Sequence, residues 1–397
     1  LVAIGGVAFA ITMVLLQLGF LQAVRITATD MYEHLDFDIV LVPRTYDQFY
    51  ASGVFPRERL QQALGVAGVT GAAPLYARFA LWRCPPFPVD RPLDKDDDAA
   101  EPNAIERFLR GDELPRPLKR RQLMLLGIDV ANHPFRGAIH EAIERARPEL
   151  TQANRVLLDE MSNLDFGWPL VGKFDDWELE QTRVKIVGGF PLLRGFAADG
   201  FVICSDVNFA TAFEVPTIGF LQFGFLKVAE SGNLQTVTET VRRLNDNLPP
   251  DVMALSRKEI LERESNHWVG QTSTGQLFAF GVLVAMIVAA VVVYQVLSND
   301  VRDHLAEYAT LKAMGHGNLF LSGVVLQQAV IYAGSAYSLA VGIAILAYFG
   351  TERLAGIPME MTLANLGLTL LMAVSVALIS ALFTLKRVWQ ADPAELF

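Results

Sequence analysis

The sequence predicts an α-helical membrane protein with four transmembrane helices and a large mixed α/β domain inserted between the first and second. Four long charge-free runs predict it, arranged as one and then three, with a polar segment of residues 25–276 between them. A mean hydropathy of +0.32 agrees, lying between the values of soluble enzymes and of polytopic carriers. A net charge of -10 over 397 residues argues against nucleic acid as a partner. Two cysteines exclude a disulfide-rich scaffold and any cysteine-only zinc site.

The first run, residues 1–24, contains no Asp, Glu, Lys or Arg. A bilayer core about 30 Å thick needs about 20 helical residues, so this run suffices for one span. It lacks the basic start and small-residue cleavage motif of a signal peptide. Because the chain starts inside this run and without Met, a cytoplasmic segment is expected to precede it.

Residues 25–276 hold all but five of the 33 basic residues and all but seven of the 43 acidic ones, as a water-exposed domain requires. Strands are expected at Asp38–Val42, Leu123–Ile128 and Gly200–Cys204, and a helix at Ala138–Arg147 that stops near Pro148. Glu178–Gly188 alternates in part and then meets a Gly188-Gly189 break. Gly219–Val228, Leu234–Leu248 and Asp251–Leu255 read as strand, helix, strand, punctuated by Gly232 and Pro249-Pro250. The acidic, Pro-rich stretch Cys84–Pro102 reads as a solvated insertion.

The second span is expected at 277–297, followed by a loop at 298–318. The third is expected at 319–349, then a short loop at 350–362, a fourth span at 363–385 and a tail at 386–397. The third run is too short for two spans and a turn, so it reads as one tilted helix. Arg302, Lys312, Lys386 and Arg387 outweigh Arg353, which places the 298–318 loop and the C-terminus in the cytoplasm and the large domain outside.

The search for catalysis is negative. There is no GxxxxGK[ST] phosphate loop, no GxSxG elbow, no SxxK and no HExxH. His140-Glu141-Ala142-Ile143-Glu144 comes nearest but lacks the second histidine, so neither a catalytic nor a metal site is expected. Cys84 and Cys204 are a candidate disulfide pair in an oxidising compartment. The spans carry none of the ionisable residues that proton- or ion-coupled carriers need at membrane depth. Gly334, Ser338 and Gly342 put a small residue at every fourth position of the third span, which suits close helix packing or simply faces lipid.

The loop SNDVRDHLAEYATLKAMGHGN is the most informative segment. Val301, Leu305, Tyr308 and Leu311 recur at helical spacing, with Arg302, Asp303, Glu307 and Lys312 on the polar side. Gly315 and Gly317 should end the helix. Such a helix can act as a lever for a cytoplasmic partner, or rest on the lipid surface.

The order of one span, a large outer domain and three spans resembles the FtsX/MacB-type permease superfamily of ABC systems. Arg302–Gly315 (RDHLAEYATLKAMG) is similar to that family's segment after the second span, and Asp392-Pro393-Ala394-Glu395-Leu396 to its closing motif. The start of the chain and Leu35–Val42 (LDFDIVLV) look closer to the DevC branch, the permeases of DevBCA-type exporters. The resemblance implies a permease in the bacterial inner membrane with its large domain in the periplasm and no cofactor of its own. ATP and Mg would be bound by a separate DevA-like ABC ATPase subunit. A second copy of the chain, a DevB-like periplasmic adaptor and a TolC-like outer-membrane channel would complete a tripartite exporter. ATPase coupling would fall on Arg302, Glu307, Tyr308, Leu311, Lys312 and Gly315. The alternative within the superfamily is an FtsX-like regulator that transports nothing and activates a periplasmic cell-wall hydrolase.

Overall fold

The computed structural model describes residues 2–83, 121–162, 166–168, 171–172, 177–192, 198, 200–213, 219–355 and 357–390. The chain divides into two compact units, one made of residues 1–26 and 268–397, the other of residues 27–267. In chain order the elements begin with α1 (Val2–Glu33), β1 (Ile39–Pro43), β2 (Phe55–Pro56), α2 (Glu58–Leu64), β3 (Val69–Arg83), β4 (Arg121–Ile128) and α3 (Gly137–Leu150). Next come β5 (Arg155–Asp159), β6 (Trp177–Leu179), β7 (Thr182–Phe190), β8 (Phe201–Ser205), α4 (Asp206–Phe213), β9 (Phe220–Leu221), β10 (Phe223–Val228), α5 (Leu234–Asn247) and β11 (Val252–Ser256). The rest is helical: α6 (Arg257–Gly270), α7 (Ser273–Asp303), α8 (Leu305–Ala313), α9 (Asn318–Ala355) and α10 (Leu363–Gln390).

The unit of residues 27–267 is built on a mixed sheet of order β11-β1-β10-β3-β4-β8-β5-β7-β6 among the described residues. Strand β3 is long enough to pair with three strands, β10 over Val69–Leu75, β4 over Leu75–Trp82 and β6 at Trp82 and Arg83, so one half of the sheet closes on itself. Strands β1 and β8 are buried along their whole length, which requires cover on both faces. The two-residue period of a strand divides their side chains. Ile39, Leu41, Leu123, Leu125, Val202 and Cys204 join one core cluster, while Val40, Val42, Met124, Leu126, Phe201 and Ile203 join the other. Helix α5 packs Val237 and Leu244 into the first, and α3 packs Ile139, Ala142, Ile143, Ala146 and Leu150 into the second. The Asn233 side chain starts α5 by accepting from the backbone N–H groups of Gln235 at 3.1 Å and Thr236 at 3.4 Å.

Three local expectations are revised. Helix α3 runs through Pro148 to Leu150, because a proline only two residues before the end removes one late hydrogen bond and leaves little helix to break. The expected break at Gly188-Gly189 is a bulge within β7, where the pairing shifts between Val156–Ile186 and Leu157–Gly188. The glycines serve packing there: a Cβ on Gly189 would lie 2.0 Å from the Trp168 ring. Glu178–Gly188 is therefore a hairpin of β6 and β7 rather than one strand, turning at Glu180, whose φ is +55°.

The other unit supplies helices long and apolar enough to cross a membrane, at Ile4–Glu33, Ser273–Asp303, Asn318–Arg353 and Leu363–Leu385. Each outruns its charge-free core at one end or both, the last continuing in α10 to Gln390. Helix α1 continues nine residues beyond Val24, because Arg25–Glu33 contains no glycine or proline to stop it and its Met31 and Tyr32 are buried. The unit packs through alanines of α9: Ala329, Ala333, Ala336, Ala340 and Ala344 are almost wholly buried in one cluster. Leu277, Phe280, Leu346, Leu371 and Phe383 point outward, as lipid-facing side chains do.

Candidate functional site

The segment joining α7 to α9 is a helix–break–helix. Helix α7 ends at His304, whose φ of -103° and ψ of 17° leave the helical region. The His304 N–H still donates to the Asp300 carbonyl at 3.2 Å, and its Nδ1 lies 2.9 Å from the same oxygen. The His304 carbonyl then accepts from the N–H groups of Glu307 at 3.1 Å and Tyr308 at 3.2 Å, which starts α8. One residue thus closes one helix and opens the next. Its bond to the Asp300 carbonyl, helped by the charge of Glu307, raises the His304 pKa above the ordinary 6.5.

Helix α8 ends in a Schellman motif. The His316 N–H donates to the Leu311 carbonyl at 3.1 Å and the Gly315 N–H to the Lys312 carbonyl at 3.0 Å. Gly315 makes this turn at φ +96°, a conformation that side-chain-bearing residues rarely adopt.

The six residues expected to couple to an ATPase fall into two groups. Arg302 and Glu307 are exposed, Leu311 and Lys312 are half-buried, and Gly315 is the exposed helix end. Tyr308 instead is 6% exposed and turns inward with Ala309. Its hydroxyl donates to Gln328 Oε1 at 3.3 Å, Gln328 donates in turn to Asp300, and the Tyr332 hydroxyl donates to Asp300 at 3.0 Å. Burial, reinforced by the charges of Asp300 and Glu307, raises the Tyr308 pKa above its ordinary value. Tyr308 is thus a strut that ties α8 to α7 and α9. Sequence reading missed Asp300, Gln328 and Tyr332; the one available signal was that Asp300 is the first charge after the second apolar run.

Reading the loop also passed over its apolar rim. Met314 is 65% exposed, Leu319 89% and Phe320 50%, with the His316 ring stacked on Phe320 at 4.4 Å between centroids. These side chains flank the Schellman turn and, with Glu307 and Arg302, give an exposed surface of mixed apolar and charged character.

The small-residue stripe of α9 is not what packs this chain. Gly334, Ser338 and Gly342 are exposed, and a Cβ added to either glycine meets nothing within 4 Å. The alanines on the other side of α9 make the internal contacts, because alanine permits close approach while keeping better helix propensity than glycine. Cys84 and the Cys84–Pro102 stretch lie outside the described residues, as does the closing motif at Asp392–Leu396. Cys204 is a fully buried thiol in β8, and burial pushes its pKa up. The His140–Glu144 segment lies in the first half of α3.

Residues 279–393 match a family profile described as FtsX-like permease C-terminal. That segment is FtsX-like. The match takes in almost all of α7, the whole of α8 and α9, and α10. No curated protein matches the chain. Among solved structures, one similar chain is the extracellular domain of the noncanonic ABC-type transporter YknZ from Gram-positive bacteria. It is 10% identical with a TM-score of 0.30, over 55% of this chain and 98% of that one. Another is the periplasmic region of MacB from Actinobacillus actinomycetemcomitans, 6% identical with a TM-score of 0.33, over 60% of this chain and 98% of that one. Scores this low do not establish a common fold.

Proposed function

We propose that this chain is the membrane-spanning permease subunit of an ABC-type exporter, driven by a separate ATPase and working by mechanotransmission. The FtsX-like match over residues 279–393 carries the reading, because it covers the helix–break–helix segment and the helices on either side of it. In this reading the 298–318 segment is cytoplasmic, the unit of residues 27–267 stands in the periplasm, and the membrane is the bacterial inner membrane. The ATPase docks on the exposed rim of Arg302, Glu307, Met314, Leu319 and Phe320. Its nucleotide-driven movement is handed through the Tyr308 strut to α7 and α9. The spans need no ionisable residue at their centres, since cargo is taken up outside the inner membrane. A second copy of the chain, an adaptor and an outer-membrane channel complete the assembly. The DevC-type assignment within the superfamily rests on the resemblance at the start of the chain and at Leu35–Val42.

Glu307→Lys tests the docking rim without touching the core, since Glu307 is exposed. Reversing one charge at a docking surface should lower ATPase-coupled export by about tenfold, the change expected for roughly 1.4 kcal/mol, with expression and thermal stability unchanged. Export equal to wild type would remove the rim from the ATPase contact.

A further inference from the structure

The sequence motif His140-Glu141-Ala142-Ile143-Glu144 lacks the second histidine of a zinc signature, and the fold supplies one from elsewhere. His140 and Glu144 stand four residues apart on α3 and so share a face. His133, in the loop between β4 and α3, comes up beside them. One ligand atom from each of the three residues lies within 4.8 Å of the others. The two imidazole rings are 5.1 Å apart between centroids, and His133 Nε2 is 3.6 Å from Glu144 Oε1.

The loop that presents His133 is held at both ends. The Asn132 side chain donates to the Ala72 carbonyl at 2.7 Å, and the Ala131 N–H to Asp129 at 2.9 Å. The Pro134 carbonyl accepts from the Asp36 N–H at 2.7 Å, and the Arg136 N–H donates to the His34 carbonyl at 2.9 Å. His133 is therefore positioned by the backbone before any ligand arrives. Its side chain is only 3% exposed, yet its Nδ1 is buried without a hydrogen-bond partner among the described residues. Its Nε2 sits beyond normal hydrogen-bond length from Glu144. A buried imidazole nitrogen left without a partner is costly, and the Nε2 of the same ring faces the Glu144 carboxylate across 3.6 Å.

We infer that His133, His140 and Glu144 bind a divalent transition-metal cation of the zinc type. Two neutral imidazoles and one carboxylate suit zinc and its neighbours, whereas magnesium and calcium prefer oxygen ligands throughout. Tetrahedral zinc holds its ligand atoms roughly 3.4 Å apart, so the three ligand atoms, now within 4.8 Å of one another, draw together on binding. Arg147 Nη1 donates to Glu144 Oε2 at 3.0 Å and to Oε1 at 3.4 Å, which orients the carboxylate, while Oε1 also faces His133 Nε2. The site offers three protein ligands, and His140 is exposed, so the fourth position opens to water or to a side chain from a partner.

The test uses the untagged full chain in detergent, stripped with chelator and titrated with zinc by calorimetry, then with cobalt(II) followed by visible absorption. One zinc per chain should bind, with the cobalt form giving the intense visible bands of a tetrahedral site. His140→Ala, at an exposed position, and His133→Ala should each lower zinc affinity by more than about tenfold. His34→Ala and His267→Ala should leave it unchanged. Lack of saturable binding by the wild-type chain would overturn the inference. So would His140→Ala binding zinc like wild type, which stands as a test even if His133→Ala fails to fold.

Discussion

Glu264 shows how little of a buried polar network is written in local sequence. It is fully buried and accepts hydrogen bonds from the phenols of Tyr32, at 3.2 Å, and Tyr46, which are themselves 2.7 Å apart. Burial first, and then the charge of Glu264, hold the Tyr46 hydroxyl well above its ordinary pKa. In sequence the residue sits in ILERES and looks like any surface glutamate. Its partners are more than two hundred positions away, so no spacing rule could have found them. Tyr46→Phe removes one donor to a buried carboxylate and should cost about 1–3 kcal/mol, seen as a lower midpoint of thermal unfolding in detergent. His304 makes a second residue-scale prediction. Its raised pKa means its contribution to the α7–α8 break is fully present below the ordinary 6.5 and is lost as pH rises through the higher folded value. Glu307→Gln removes one cause of that elevation and should shift the His304 titration to lower pH, read by NMR of histidine-labelled protein. An unchanged midpoint would mean the charge of Glu307 does not reach the ring.

At the scale of elements, patterns that depend on burial were legible and those that depend on contact were not. The short runs at Asp38–Val42 and Gly200–Cys204 marked strands, and the structure buries the strands found there, Ile39–Pro43 and Phe201–Ser205, along their whole length. The helix expected at Leu234–Leu248 followed from its punctuation by Gly232 and Pro249-Pro250, and the structure has it at Leu234–Asn247. The bulge at Gly188 was not legible, since the strand it shifts against and the Trp168 ring that Gly189 accommodates come from other parts of the chain. Nor was the packing face of α9 legible, because alanine and glycine stripes look equally suited to close approach in sequence. Ala336 is fully buried, so Ala336→Leu should overpack the helices and cost about 1–3 kcal/mol. Gly334→Leu meets open space and should leave the thermal midpoint of the chain unchanged or slightly raised. Loss of stability in the second variant but not the first would reverse the assigned faces. Gly315→Val places a β-branched residue at φ +96° and should redirect the chain leaving α8, costing about 1–2 kcal/mol locally; under the proposed function it should also uncouple ATP hydrolysis from export.

For the whole molecule, composition and charge-free runs were enough to place four apolar helices around a mixed α/β unit in chain order, and the described elements follow that order. The extent of α1 was not legible, because a helix ends where packing stops rewarding it rather than where its apolar run stops. The α8 segment was legible as a helix from its period and its terminal glycines, but not as a strut: the partners of Tyr308 on α9 only meet it once α7 and α9 pack. Under the proposed function a separate ATPase grips this segment. A photo-crosslinking amino acid placed at Glu307, in cells that express the protein at its native level, tests it most directly. The crosslinked product should contain an ABC ATPase, identified by mass spectrometry, and the same probe at the buried Ala309 should capture none. Crosslinks from position 307 to lipid alone would contradict it, and would make α8 a helix resting on the membrane surface.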